Sequence, residues 1–262
     1  MATITYDSRE ALDRFAAAYQ IGYPMLADVG SKVIRAFGIF NTNIPADHKM
    51  LYGIPWPGDY LLTPDGTVRD KAFLRSYEDR VAASAVIVRN FGVDAGANSV
   101  AIKTAVLSAT VSLSGDRCFP GQELAVALHV RLNPGWHVYG QPLPANYQTT
   151  QLTFASPLIA AQSLAMPAAQ PLELKALGET LPVYANEFQA HGKLHVRWSP
   201  PMPAPFLLAL AQPIEPGLHQ IEGTLRFQAC SDQVCEAPQT ITFKLPLTIA
   251  AGVPPAPKKA AS

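Results

Sequence analysis

The spacing of apolar residues changes once along this chain, near Gly92, and the two spacings demand different folds. Before that point strand and helix signals alternate. Ala2 to Tyr6 reads as a short strand, and Asp7 with Glu10 has the form of a capping box. The helix it opens carries Ala11, Leu12, Phe15, Ala16 and Tyr19 on one face. A second helix is predicted from Ser31 to Phe37, burying Val33, Ile34 and Phe37 and stopping at Gly38. Tyr60 to Leu62 and Val68 to Leu74 flank a tight turn at Pro64–Gly66. A helix from about Tyr77 to Arg89 closes this α/β half.

Beyond a linker the period becomes two. Val106–Leu113, Glu123–Leu132, Leu194–Trp198, Ile221–Ala229 and Thr240–Ile249 read as strands separated by turns such as FPGQE and NPGWH. Leu225, Phe227 and Ala229, then Ile241, Phe243, Leu245, Leu247 and Ile249, all fall on odd positions. One buried face per strand means antiparallel sheets packed on another layer, so a β-sandwich is expected. Pro246 cannot donate to a ladder and points to an edge. The predicted order is an α/β domain over residues 1–92, a linker over 93–104 and a sandwich over 105–250. A Pro/Ala-rich tail over 251–262 is too poor in packing residues to fold.

Twenty Lys and Arg balance twenty Asp and Glu, and neither half is polarised, which argues against a nucleic-acid surface. No apolar run reaches the ~18–20 residues of a membrane span. MATITYDSRE has neither the basic flank nor the apolar core of a signal peptide, so no leader is expected within this chain. The six histidines (His48, His129, His137, His191, His195, His219) show no metal-ligand spacing, and no phosphate loop or catalytic triad order stands out. Neither metal nor cofactor is implied. Three cysteines, Cys118, Cys230 and Cys235, are too few for a disulfide scaffold.

ITYDSREALDRFAAAYQIGYPMLAD (Ile4–Asp28), SKVIRAFGI (Ser31–Ile39) and GIPWPGDYLLTPDGTVRDKAF (Gly53–Phe73) resemble the later part of an AhpC/TSA peroxiredoxin-like, thioredoxin-fold domain. The resemblance implies that Pro57 is the cis-proline beside that fold's redox site; an ordinary trans turn proline is the alternative. It also implies a reactive cysteine on a helix ahead of the first strand seen here. The first 117 residues hold no cysteine. The half is therefore expected to be an incomplete, truncated thioredoxin-like fold with an uncovered apolar face, catalytically silent for want of a thiolate.

PGWHVYGQPLPANYQTTQLTF (Pro134–Phe154), PVYANEF (Pro182–Phe188) and FQACSDQVCEAPQTITFKLPL (Phe227–Leu247) resemble the N-terminal domain of thiol:disulfide interchange protein DsbD. That likeness implies an immunoglobulin-like sandwich in the periplasm that relays electrons through one cysteine pair, here Cys230 and Cys235. Four residues separate the two, one fewer than the family pattern leads one to expect. A bridge across so short a loop stabilises by only about 2 kcal/mol, which favours a redox role over a structural one. Strand parity turns Cys230 away from the core and makes it the expected point of attack. Asp232 and Glu236 nearby disfavour a thiolate. The alternatives are two reduced cysteines packed as small apolar groups or, less well supported, a zinc site. By the same likeness Leu181–Phe188 is the stretch comparable to a cap loop. Tyr184, Phe188 or Tyr139 then shields the pair, unless each is plain core. His137 is a candidate for tuning the site or for a hydrogen-bonded strand histidine. Cys118 reads as an unpaired thiol.

The expected function is thiol–disulfide exchange with a thioredoxin-like partner or a membrane electron donor, in an extracytoplasmic space. Any enzymatic activity would be an oxidoreductase's. One alternative is a peroxiredoxin-type antioxidant enzyme whose peroxidatic cysteine lies upstream. The other is a non-catalytic immunoglobulin-like binding module.

Overall fold

In the computed structural model, residues 1–74, 79–91, 98–174, 178–199 and 213–251 are described. Contacts divide the chain into two units, Met1–Arg80 and Val81–Gly252. The first begins with β1 (Thr3–Thr5), helix α1 (Arg9–Tyr19) and β2 (Met25–Ala27), the strands pairing in parallel. Ser8, not Asp7, caps α1: its hydroxyl accepts from the Ala11 amide at 3.3 Å, while Asp7 takes the Thr5 hydroxyl. Helix α2 (Lys32–Ala36) is started by Asp28, whose buried carboxylate accepts from the Ile34 amide at 2.8 Å. An antiparallel hairpin follows, β3 (Gly58–Leu62) with β4 (Val68–Phe73).

Two separate two-stranded sheets give these helices little to pack against. Leu12 and Ile34 are buried, but Phe15, Val33 and Phe37, expected inside, are 41–48% exposed. The expected cis bond at Pro57 is absent: the one cis peptide among the described residues is Gln141–Pro142. Phe40 bridges Pro55, the Trp56 amide donates to Ile39 at 2.6 Å, and Gly58 at once pairs with Phe73. The chain thus enters β3 already extended, as a trans bond allows.

The boundary falls within β5 (Arg80–Val81), and the second unit continues with α3 (Ala83–Phe91), which packs on β9 of the sandwich below. The helix expected from Tyr77 therefore starts later and belongs with the β half; residues 75–78 lie outside the described residues. The strands are β6 (Asn98–Lys103), β7 (Leu107–Leu113), β8 (Arg117–Cys118), β9 (Gln122–Leu132), β10 (His137–Tyr139), β11 (Gln151–Ala155), β12 (Ile159–Ala165), β13 (Gln170–Leu174), β14 (Glu179–Ala185), β15 (Glu187–Val196), β16 (Gly217–Phe227), β17 (Ala229–Cys230) and β18 (Gln239–Ile249). The first of these corrects the linker expected over 93–104. Residues 98–103 pair with β7 and bury Asn98 and Ile102, the short alternation that a strand needs. Residues 93–97, and the tail from 252, lie outside the described residues.

Three sheets result, ordered β12-β15-β9-β7-β6 with β5 beside β9, then β11-β16-β18-β8, then β13-β14-β10-β17. Burial alternates along β7, β9, β15, β16 and β18, so each long strand offers one apolar face to the interior. Val111, Leu128, Leu194, Ile221, Leu225 and Leu245 are fully buried. The fold class is thus a small α/β part followed by an immunoglobulin-like β-sandwich. At Pro246 β18 has one ladder partner, Gln220 of β16, since β8 reaches only Thr248 and Ile249. Asn186 takes the left-handed conformation that Asn tolerates, φ 62°, and turns β14 directly into β15. Among the described residues no helix is long and apolar enough to cross a membrane.

Candidate functional site

The cysteine pair owes its place to a strand that changes sheets. β16 runs beside β18 as far as Phe227; Gln228 breaks the ladder, and Ala229–Cys230 then pair with Val138 and His137 of β10. Parity fails at that step, because the chain enters a region buried on both sides. Phe227, Ala229 and Cys230 are all 0% exposed. Gln228 holds the junction with its side chain: Oε1 accepts from the Gln148 backbone amide at 3.1 Å and Nε2 donates to Glu236 O at 3.2 Å.

A disulfide joins Cys230 to Cys235, with α-carbons 4.0 Å apart. The loop between them is organised by Ser231, whose hydroxyl accepts from the Gln233 and Val234 amides at 3.3 and 3.2 Å. The Ser231 amide donates to Val234 O at 2.8 Å, and the Glu236 amide closes back on Ala229 O at 2.9 Å. The two sulfurs meet different environments. Cys230 is packed with Tyr139, Leu174, Leu181 and Val183, and Leu143, Tyr147 and Leu172 flank that cluster. Cys235 is exposed, next to exposed Val234. The expectation that Cys230 is the accessible sulfur is therefore reversed.

Tyr139 stands over the bridge. Its hydroxyl lies 3.0 Å from Cys230 Sγ and 3.7 Å from Cys235 Sγ, and since disulfide sulfurs carry no hydrogen it is the donor. Burial first, then Tyr147 and Glu179, push this hydroxyl above its ordinary pKa, so it remains protonated. Tyr147 packs at 5.1 Å from its ring and donates to Glu179 at 2.9 Å. His137, across the ladder from Cys230, is 3% exposed and sets its ring edge-on to Tyr139 at 5.8 Å. Burial pushes its imidazole down, with Asp232 acting in the opposite sense.

Of the residues expected to shield the pair, Tyr139 contacts it. Tyr184 and Phe188 do not. The register places Tyr184 opposite Val138, on the face away from Tyr139 and Cys230. There it stacks on Phe188 at 4.4 Å, donates to Pro167 O at 2.9 Å and lines an open groove of about 570 Å³ with Gln141 and Gln162. Leu181 and Val183 are the members of Leu181–Phe188 that meet the sulfur cluster. Pro57 lies in the other unit. Tyr147, Leu172 and Leu174 were not foreseen: Tyr147 sits in a Pro/Asn-rich turn where no periodicity marks it. Cys118 is unpaired and buried, and burial pushes its thiol up to about 12. Among the described residues no group of three His, Cys, Asp or Glu is placed to hold a metal.

A sandwich that carries a cysteine pair, one residue buried and the other exposed, has the form of a thiol–disulfide module. Residues 110–247, more than half of the chain, match the family model described as thiol:disulfide interchange protein DsbD, N-terminal, and the chain belongs to that family. Residues 1–71 match the AhpC/TSA family. No curated protein matches. Among solved structures, the N-terminal periplasmic domain of ScsB from Proteus mirabilis is similar at 14% identity and a TM-score of 0.40. That match covers 61% of this chain and 54% of the ScsB chain, so this chain spans about half of that length.

Proposed function

We propose that the protein carries electrons by thiol–disulfide exchange at Cys230–Cys235, with Cys235 as the sulfur that partners attack. The observation that carries this reading is the asymmetry of the bridge: Cys235 is exposed, whereas Cys230 is sealed beneath Tyr139. A partner thiolate attacks Cys235 Sγ, the S–S bond breaks, and its electron pair leaves on Cys230. The Tyr139 hydroxyl donates to that developing anion, which has no access to water. A second partner thiol then displaces Cys235 from the mixed disulfide. Two electrons have moved, and the partner dithiol has become a disulfide. The opposite direction uses the same contacts.

A thioredoxin-like protein, whose dithiol chemistry matches these steps, is the proposed partner. A working disulfide suits an oxidising extracytoplasmic compartment. The first unit, with no cysteine before Cys118, takes no part in the sulfur chemistry in this proposal.

Counting thiols tests the reading. Oxidised protein labelled with an alkylating agent in denaturant is expected to show one thiol, Cys118, and three after equilibration with dithiothreitol. In the native oxidised protein at pH 8, Cys118 is expected to stay unlabelled, because burial keeps it protonated far above that pH. Three thiols in both preparations would contradict a redox pair.

A further inference from the structure

We propose that His137 holds the proton that accompanies opening of the disulfide, pairing as an imidazolium with the Cys230 thiolate. This rests on the exchange reading above and adds a residue to it. The β10–β17 register sets His137 directly opposite Cys230, so both side chains lie on one face of the sheet. The imidazole is 3% exposed, yet its Nε2 is buried without a hydrogen-bond partner among the described residues. A buried polar atom left unpaired is costly, and such atoms in folded proteins call for an explanation. Here, one is available in the other redox state, in which a buried anion appears across the ladder.

The surroundings are compatible with a proton arriving only at that moment. On its own strand His137 faces Tyr139, which donates to sulfur and offers no charge. On β17 it faces Cys230, neutral while the bridge is closed. The turn contributes the Asp232 carboxylate, and β14 sets Ala185 opposite, without charge. With the disulfide intact, desolvation outweighs Asp232 and the ring is neutral at neutral pH. When Cys230 leaves as a thiolate, a second negative group faces the ring. Proton uptake from solvent by the imidazole then turns a lone buried anion into an ion pair. Overall, a partner dithiol gives two electrons and becomes a disulfide. Cys230 and Cys235 gain those electrons and two protons, one of them held at His137. His137 acts through the charge on sulfur and is a positioning residue.

The direct test is NMR of the intact chain with nitrogen-labelled histidine, oxidised and then reduced with dithiothreitol, thiols being counted in the same tubes. The expected result is that the His137 imidazole titrates at higher pH in the reduced protein than in the oxidised one. As a second measurement, His137→Phe is expected to slow reduction of the pair on the order of tenfold in the pH range where the imidazole of the reduced wild type is charged. Above that range the slowing should vanish, a pH signature that a packing defect does not produce. Superimposable His137 titrations in samples that gain two thiols would overturn the proposal and leave the exchange reading standing. Samples that gain no thiols would overturn both.

Discussion

Replacing Cys230 by serine is expected to leave a protein that rapidly forms a mixed disulfide with oxidised glutathione, while replacing Cys235 leaves one that barely reacts. Both variants lose the same bridge, which closes so short a loop that its removal costs only about 2 kcal/mol in each. They differ in which sulfur remains. In C230S it is the exposed Cys235; in C235S it is Cys230, 0% exposed beneath Tyr139 and Val183. A buried thiol reacts only when its surroundings open. An opening cost of about 2.8 kcal/mol is enough to slow the reaction about 100-fold. Asp232 and Glu236 repel glutathione in both variants and so cancel in the ratio. Mass spectrometry of adduct against time gives that ratio, and equal rates, or a faster C235S, would remove the assignment of Cys235 as the attacked sulfur.

Phe227→Ala is expected to destabilise the sandwich by about 3–5 kcal/mol, the usual cost of emptying a buried aromatic site. Phe227 is the last residue of β16, fully buried, and sits just before the switch that delivers Cys230 to its sheet. Native domains have only ~5–15 kcal/mol of total stability, so this loss moves the urea midpoint by a large fraction of its value. Leu218→Ala on the same strand provides the contrast: Leu218 is 67% exposed, and its loss should cost no more than about 0.5 kcal/mol. Similar midpoints for the two variants would show that the face of β16 assigned to the core is wrong.

That face was legible from sequence, because period-two alternation carries its own register. Leu225, Leu245, Leu247 and Ile249 are buried as their odd positions imply, and β16 pairs with β18 along its whole length. The cysteine pair was legible for a related reason, two sulfurs across a turn between strands. What alternation could not show is a change of sheet. Parity counted through Gln228 places Cys230 outward, yet the ladder is broken there and the count restarts. Tyr184 and Phe188 failed similarly: sequence marks them as buried aromatics, but only the β10–β14 register decides which face they occupy. In the first unit, the apolar stripes on α1 and α2 were correctly spaced for burial, but two-stranded sheets do not supply the opposing layer. β6 escaped notice because its alternation runs over only six residues among small side chains.

The central claim is that Cys230 and Cys235 pass electron pairs to or from a partner dithiol. It is tested most directly by mixing the oxidised protein with a reduced thioredoxin-like protein, trapping with acid and alkylating. The mass of each chain then reports its redox state. The predicted result is two newly labelled cysteines here, Cys230 and Cys235, for every dithiol converted to a disulfide in the partner. A partner that stays reduced, while this chain yields only Cys118 on denaturation, would contradict it.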